Sequence, residues 1–190
     1  MEHILSLLVF FPAIAGLLGF LVVKESIRAY GISVSAIEFL LSLVLWIGYD
    51  GANAGYQFVE YYPFISSYGM SYYLGVDGIS LFLVILSTFI TMIALIALSI
   101  EKEIKNLIIS VLFLEMTMVG VFVILDVIWF YAFWELSLVP MLYIIGAWGS
   151  ANRMYASIKF FLYTFAGSVL MLVGILYMGC LLYTSPSPRD

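Results

Sequence analysis

Apolar residues run through this chain in stretches of about twenty, separated by short polar joints. Such stretches show neither the two-residue alternation of a half-buried strand nor the one-sided stripe of a surface helix. Lipid offers no hydrogen bonds, so a segment crossing its ~30 Å hydrocarbon core must satisfy its own backbone as a helix of ~20 residues. The pattern predicts six such spans: Ile4–Val23, Ile32–Tyr49, Ile79–Ile100, Leu107–Leu125, Val127–Trp148 and Ala156–Met178. The expected fold class is an all-α membrane protein, with a transmembrane bundle over residues 1–178. The second span is the weakest, because Glu38 interrupts it. Beginning after Glu38 leaves only Phe39–Tyr49, too short to cross, so the longer span stands and Glu38 falls toward one end, within reach of water. The first span resembles a signal-peptide core, but its leading residues carry Glu2 and no Lys or Arg, which argues against that reading.

The joints alternate in charge. Lys24 and Arg28 follow the first span, Lys102 and Lys105 the third, and Arg153 and Lys159 the fifth. The N-terminus, the connection 50–78 and the turn near Asp126 hold no Lys or Arg. The positive-inside rule therefore puts the N-terminus outside and the basic loops in the cytoplasm or matrix. The outer connection is long for a bundle loop and carries Tyr56, Phe58, Tyr61, Tyr62, Phe64, Tyr68, Tyr72 and Tyr73. Amphipathic rings favour the headgroup layer, so this segment is expected along the outer interface, either as a hairpin or as an interfacial helix. Asp77, just before Gly78 and Ile79, reads as the N-cap of the third span.

Composition agrees with the pattern and narrows the chemistry. Of 190 residues, 65% are hydrophobic and 10% charged, and the mean hydropathy is +1.15. So few charges cannot cover a water-soluble globule. The net charge of −5 carries no basic stripe for nucleic acid. A single cysteine, Cys180, and a single histidine, His3, are too few for a chain-borne iron–sulfur cluster, a bis-histidine haem or a zinc centre.

Two carboxylates fall deep inside spans. Glu115 lies eight residues from the inner end of the fourth span and Glu135 eight from the outer end of the fifth, which puts both about 12 Å in, near the midplane. Each costs a few kcal/mol to insert, which marks it as a functional candidate. Dehydration favours the neutral acid, and an acid poised between its two forms can relay a proton. The bland alternative is a protonated glutamate acting as interhelical glue. Glu135 is the leading relay candidate, with Glu115 the second. Pro140, five residues after Glu135, frees a backbone carbonyl near Leu136 that would suit a water, or only shapes packing. Lys159 either snorkels to the inner surface or takes up protons there.

Three stretches carry a family resemblance. GVDGISLFLV at 75–84, VGVFVILDVIWFYAFWELSLVPMLYIIGAWG at 119–149 and RMYASIKFFLYTFAGSVLML at 153–172 resemble the M-chain family of bacterial NADH:quinone oxidoreductase, respiratory complex I. That family is homologous to the fourth mitochondrially encoded subunit. The L and N chains and sodium/proton antiporter subunits share the layout and match these words less well. The resemblance implies a proton-translocating membrane-arm subunit that couples quinone reduction to proton transport. It further implies a fold that is the N-terminal part of a fourteen-helix bundle, in a bacterial plasma membrane or the mitochondrial inner membrane. NADH, FMN, iron–sulfur clusters and quinone would sit in other subunits, and L-like and N-like chains would be partners. Glu135 in FWELSLVP would be the fifth-helix glutamate, which pairs in the family with a lysine on the seventh helix, and Lys159 the lysine opening the sixth. The family's seventh, eighth and twelfth helices have no counterpart here. Residues 179–190, ending Ser-Pro-Ser-Pro-Arg-Asp, break from the helical pattern and are expected to be an unstructured, non-native tail of a truncated product. Two rivals remain: a sodium/proton antiporter subunit, and a structural membrane anchor whose buried acids are glue.

Overall fold

The computed structural model describes residues 3–53, 55–65, 70–99 and 103–184. Glu2, Tyr68 and Lys102, used in the sequence argument, and tail residues 185–190 lie outside the described residues. The chain order is α1 (Ile4–Gly19), α2 (Ile27–Ile47), β1 (Gln57–Ile65), β2 (Met70–Val76), α3 (Gly78–Ala97), α4 (Ile104–Val123), α5 (Val127–Trp148) and α6 (Arg153–Thr184). Helices α2 to α6 are each long and apolar enough to cross a membrane. Helix α1 has 16 residues and reaches about 24 Å.

Helix α4 is the hub. It packs on α1, α2, α3 and α5, while α6 lies against α5. Two apolar clusters fill the bundle. One gathers Leu5, Leu8, Leu45, Leu81, Val119 and Val123 with residues of the strands. The other gathers Ala15, Ile27, Val34, Leu95, Ile108 and Leu112.

Cations collect at the second cluster's end of the bundle. Lys105, in the first turn of α4, donates from Nζ to the carbonyls of Phe20 and Val22 at 2.8 and 2.9 Å, and Arg28 donates to the carbonyl of Ile96 at 3.2 Å. Carbonyls left unpaired at a helix C-terminus attract such groups. The starts of α2 and α4 thus share one end with the ends of α1 and α3, so α2 and α4 run parallel.

The opposite end is closed by a β-hairpin, the first of the two expected forms, in the described part of the connection 50–78. Strands β1 and β2 pair antiparallel, with Tyr61 opposite Tyr73 and Tyr62 opposite Tyr72. Between the pairs Gln57–Val76 and Glu60–Leu74, Phe58 and Val59 face the single residue Gly75. This β-bulge, with Phe58 at φ 53°, shifts the alternation of side chains. Glu60 consequently turns inward, 4% exposed, and caps α1 from outside the helix. Its carboxylate accepts from the Leu5 and Ser6 amides, at 2.8 and 3.2 Å to Oε1, and from the Ser6 hydroxyl. Asp126 ties the hairpin to α5, and a bridge between Leu74 and Ile124 ties it to the end of α4.

Several boundaries differ from the pattern-based spans. Helix α1 stops at Gly19 rather than Val23. Helix α2 begins at Ile27 rather than Ile32, because Arg28 can sit on the helix and send its guanidinium to the Ile96 carbonyl. That five-residue extension makes Glu38 the middle of its helix, and Glu38 is 0% exposed rather than within reach of water. Helix α6 runs on to Thr184, past the expected tail boundary at 179, because Gly179 to Thr184 contain no proline and nothing breaks the helix before Pro186. The Asp77 cap is found as expected: Oδ1 accepts from the Ile79 and Ser80 amides, and Ser80 Oγ accepts from the Asp77 amide, completing a capping box.

Candidate functional site: the membrane-embedded acids

Glu135 and Glu115 lie at the same depth. Glu115 is eight residues before the end of α4 and Glu135 eight after the start of α5, each about 12 Å from the hairpin end. Their surroundings differ. Glu135 is half-buried on the side of α5 that meets α6, and its Oε1 is shielded with no hydrogen-bond partner among the described residues. Tyr131, one turn earlier on α5, interacts through its hydroxyl with Glu135 and with Ser168 of α6. Ser157 and Ser168 are the buried residues of α6 among those described, and Ser157 Oγ lies where a β-carbon on Gly146 would meet it at 3.3 Å. Small hydroxylated residues let the two helices approach closely. In α5 only Phe133 and Leu138 are buried, so most of the α5–α6 surface around Glu135 is uncovered by this chain.

Glu115 points elsewhere. It is 1% exposed and faces α2, where Glu38 feels its charge. The α4–α5 seam is instead made by Gly120, at which a β-carbon would lie 2.5 Å from the Phe133 ring. The structure therefore brings Glu115 to Glu38 and Glu135 to Tyr131, whose hydroxyl also meets Ser168. No described contact joins Glu115 to Glu135.

Lys159 is exposed on α6, with Nζ 5.7 Å from the Tyr155 ring centre and 5.8 Å from that of Tyr163. Both distances suit a cation–π contact. Arg153 donates to the Ala147 carbonyl at 2.9 Å and so neutralises the C-terminus of α5. Pro140 is accommodated within a continuous α5 and lines a groove of about 280 Å³ with Phe113, Met116, Leu136, Val139 and Tyr143, an apolar surround. Among the described residues no group of three His, Cys, Asp or Glu side chains is placed to hold a metal ion.

Sequence reasoning missed the inward position of Glu38 and the Tyr131–Ser168 surround of Glu135. A signal for Glu38 existed: Ser35, Glu38 and Ser42 recur at three- and four-residue spacing, one helical face, and all are buried. Tyr131 stands four residues before Glu135, within reach on the same face.

The family described as NADH:quinone oxidoreductase/Mrp antiporter, TM, matches residues 124–184, which cover α5 and α6. Over 186 residues the chain is 44% identical to NADH-quinone oxidoreductase subunit M of Rhodobacter capsulatus, covering 94% of this chain and 36% of that protein. It is 46% identical over 153 residues to NADH-ubiquinone oxidoreductase chain 4 of Arabidopsis thaliana, covering 79% of this chain and 31% of the other. A chain of respiratory complex I from Thermus thermophilus superimposes with a TM-score of 0.79 at 26% identity, over 90% of this chain and 35% of that one. The chain thus spans little more than a third of the length of the curated relatives it matches. It resembles subunit M along nearly its whole length, and it is an integral membrane protein.

Proposed function

We propose that this chain is part of a proton-translocating membrane subunit of the NADH:quinone oxidoreductase type, with Glu135 as the carboxyl that takes up and releases the proton. The observation that carries this reading is the setting of Glu135. A half-buried acid at mid-membrane has one oxygen without a partner among the described residues, a phenol beside it that also meets a serine of α6, and an open helix face in front. A cation brought to that face would attract the carboxylate, so a charge moving there can drive the transfer. Tyr131 links the carboxyl to Ser168 and so offers a path to the α5–α6 seam. Glu115 serves as a second protonatable group, and Lys159 takes up protons at the basic end. That end faces the cytoplasm or matrix. NADH, FMN, iron–sulfur clusters and quinone are held by other subunits, and L-like and N-like chains are the membrane partners.

The test is Glu135→Gln in the complex that contains this chain, reconstituted in vesicles. Proton uptake should fall at least tenfold relative to wild type, while NADH oxidation by a soluble electron acceptor stays unchanged. Proton uptake at the wild-type rate would refute the role. The breadth of the matched family description, which includes an antiporter, supports a second reading as a sodium/proton antiporter subunit. Transport in the same vesicles that requires sodium and not NADH would favour it.

A further inference from the structure

Halfway along the bundle the two apolar clusters are parted by a buried polar layer: Ser35, Glu38 and Ser42 on α2, Ser87, Thr88 and Thr91 on α3, and Glu115 on α4. The hydroxyls of Ser35, Ser42, Thr88 and Thr91 donate to carbonyls of their own helices, and Ser42 meets Thr88 across the α2–α3 seam at 3.0 Å. The acids differ from them. Glu38 and Glu115 are 0% and 1% exposed, and none of their four carboxylate oxygens has a hydrogen-bond partner among the described residues.

Helix register explains why the two meet. Parallel helices α2 and α4 approach closely at Gly31, where a β-carbon would lie 2.5 Å from Ile108 Cγ2. Glu38 and Glu115 each stand seven residues further on, two turns along the same faces, so they oppose each other as Gly31 and Ile108 do. On the third side, Phe39 lies beside Phe89 at 5.4 Å and Trp46 beside Phe82 at 6.2 Å. That antiparallel register puts Thr91 at the height of Glu38.

Among the described residues no cation shares this layer. Helices α1 and α3 contain no charged residue. On α2 and α4 the nearest cations, Arg28 and Lys105, sit ten residues away, about 15 Å, engaged with helix-end carbonyls. Tyr30 of α2 donates to the Ala15 carbonyl, and Glu135 of α5 turns toward α6. Two carboxylates facing each other in a buried layer with no counter-charge among the described residues cannot both be ionised.

We propose that Glu38 and Glu115 form a second proton-holding site, in which one proton is shared between two opposed carboxyls on neighbouring parallel helices. The protonated carboxyl donates its O–H to the ionised one, and transfer breaks that O–H bond as it forms the new one on the partner. The pair keeps its charge during the exchange and gives each acid the partner it otherwise lacks. The site is separate from Glu135 and stands whether or not Glu135 relays protons.

Infrared titration of the full chain in lipid, with isotope-labelled glutamate, tests this in the wild type, Glu38→Gln, Glu115→Gln and the double variant. Removing Glu38 should change, by about tenfold or more, the proton concentration at which Glu115 half-titrates, and the reverse substitution should act on Glu38 alike. Gly31→Ala, which keeps both acids but forces the helices apart, should shrink that coupling, and adding Ile108→Ala should restore it. Single-variant spectra that sum to the double variant's, or acids that stay neutral throughout the titration, would overturn the shared proton. So would displacement of the acid band by sodium at constant pH, which would make the pair a metal-cation site.

Discussion

Each carboxylate oxygen of Asp126 serves a different element. Oδ1 accepts from the Ile128 and Trp129 amides at 2.9 and 3.2 Å and caps α5, while Oδ2 accepts from the Ser71 amide of β2 at 3.0 Å. Asp126→Ala should lower stability by about 1–2 kcal/mol through the lost cap, with a further cost from the orphaned strand amide, read as a lower thermal midpoint in detergent. Asp77 offers a pH-dependent counterpart. Hydrogen bonds, first from the Ser80 amide and then from the Ser80 hydroxyl and the Ile79 amide, hold its carboxyl below the usual carboxylate range, against a smaller opposing effect of burial. A carboxyl lowered in the folded state stabilises fully above its unfolded value of about 3.9, and that stability is lost as pH falls through the lower folded value. Asp77→Asn should therefore flatten the acid limb of the thermal midpoint against pH. The Asp77 cap was legible from an aspartate directly before an apolar run. The Glu60 cap was not, because it acts across 55 residues and depends on a bulge that no local pattern announces.

At the scale of helices, run length gave the existence of all six helices, and charge gave the end at which the cations gather. Five of the six are long and apolar enough to cross a membrane, and α1 is shorter than the expected first span. Boundaries slipped where a long cationic side chain could stay on a helix and still reach polar atoms, as Arg28 does. The same slip hid Glu38, whose burial depends on a helix start five residues earlier than its charge suggested. Helix pairing rests on close approaches. Gly120 receives the Phe133 ring so tightly that any β-carbon would overlap it. Gly120→Ala should cost about 1–3 kcal/mol by overpacking, and Phe133→Leu in the same chain should recover part of that loss. Thermal unfolding of the two variants and the wild type in detergent would show it; equal midpoints for Gly120→Ala and wild type would remove the close-packing argument.

For the whole molecule, the cationic end and the hairpin end set an axis, and the orientation proposed above, basic end inward, can be tested directly. In a Cys180→Ser background, Lys24→Cys should react with a membrane-impermeant maleimide only in inverted vesicles, and Gly51→Cys only from the outer face of intact cells. The opposite pattern would reverse the orientation. The bundle is also lopsided. Helix α4 is surrounded on four sides, whereas α5 and α6 leave most of their surface uncovered, and Glu135 lies on that open side. Sequence alone named Glu135 through its depth and its family wording, but it could not say that Glu115 turns away from Glu135, because azimuth around a helix follows from packing.

The reach of Glu60 back to the first turn of α1 also sets an order of birth. Helix α1 leaves the ribosome with the Leu5 and Ser6 amides unpaired, and their acceptor is translated some 55 residues later. At about 5–20 residues per second, that interval lasts about three to eleven seconds. Until then the leading helix must keep its first turn at the wet surface, and the arriving hairpin is the event that seats it.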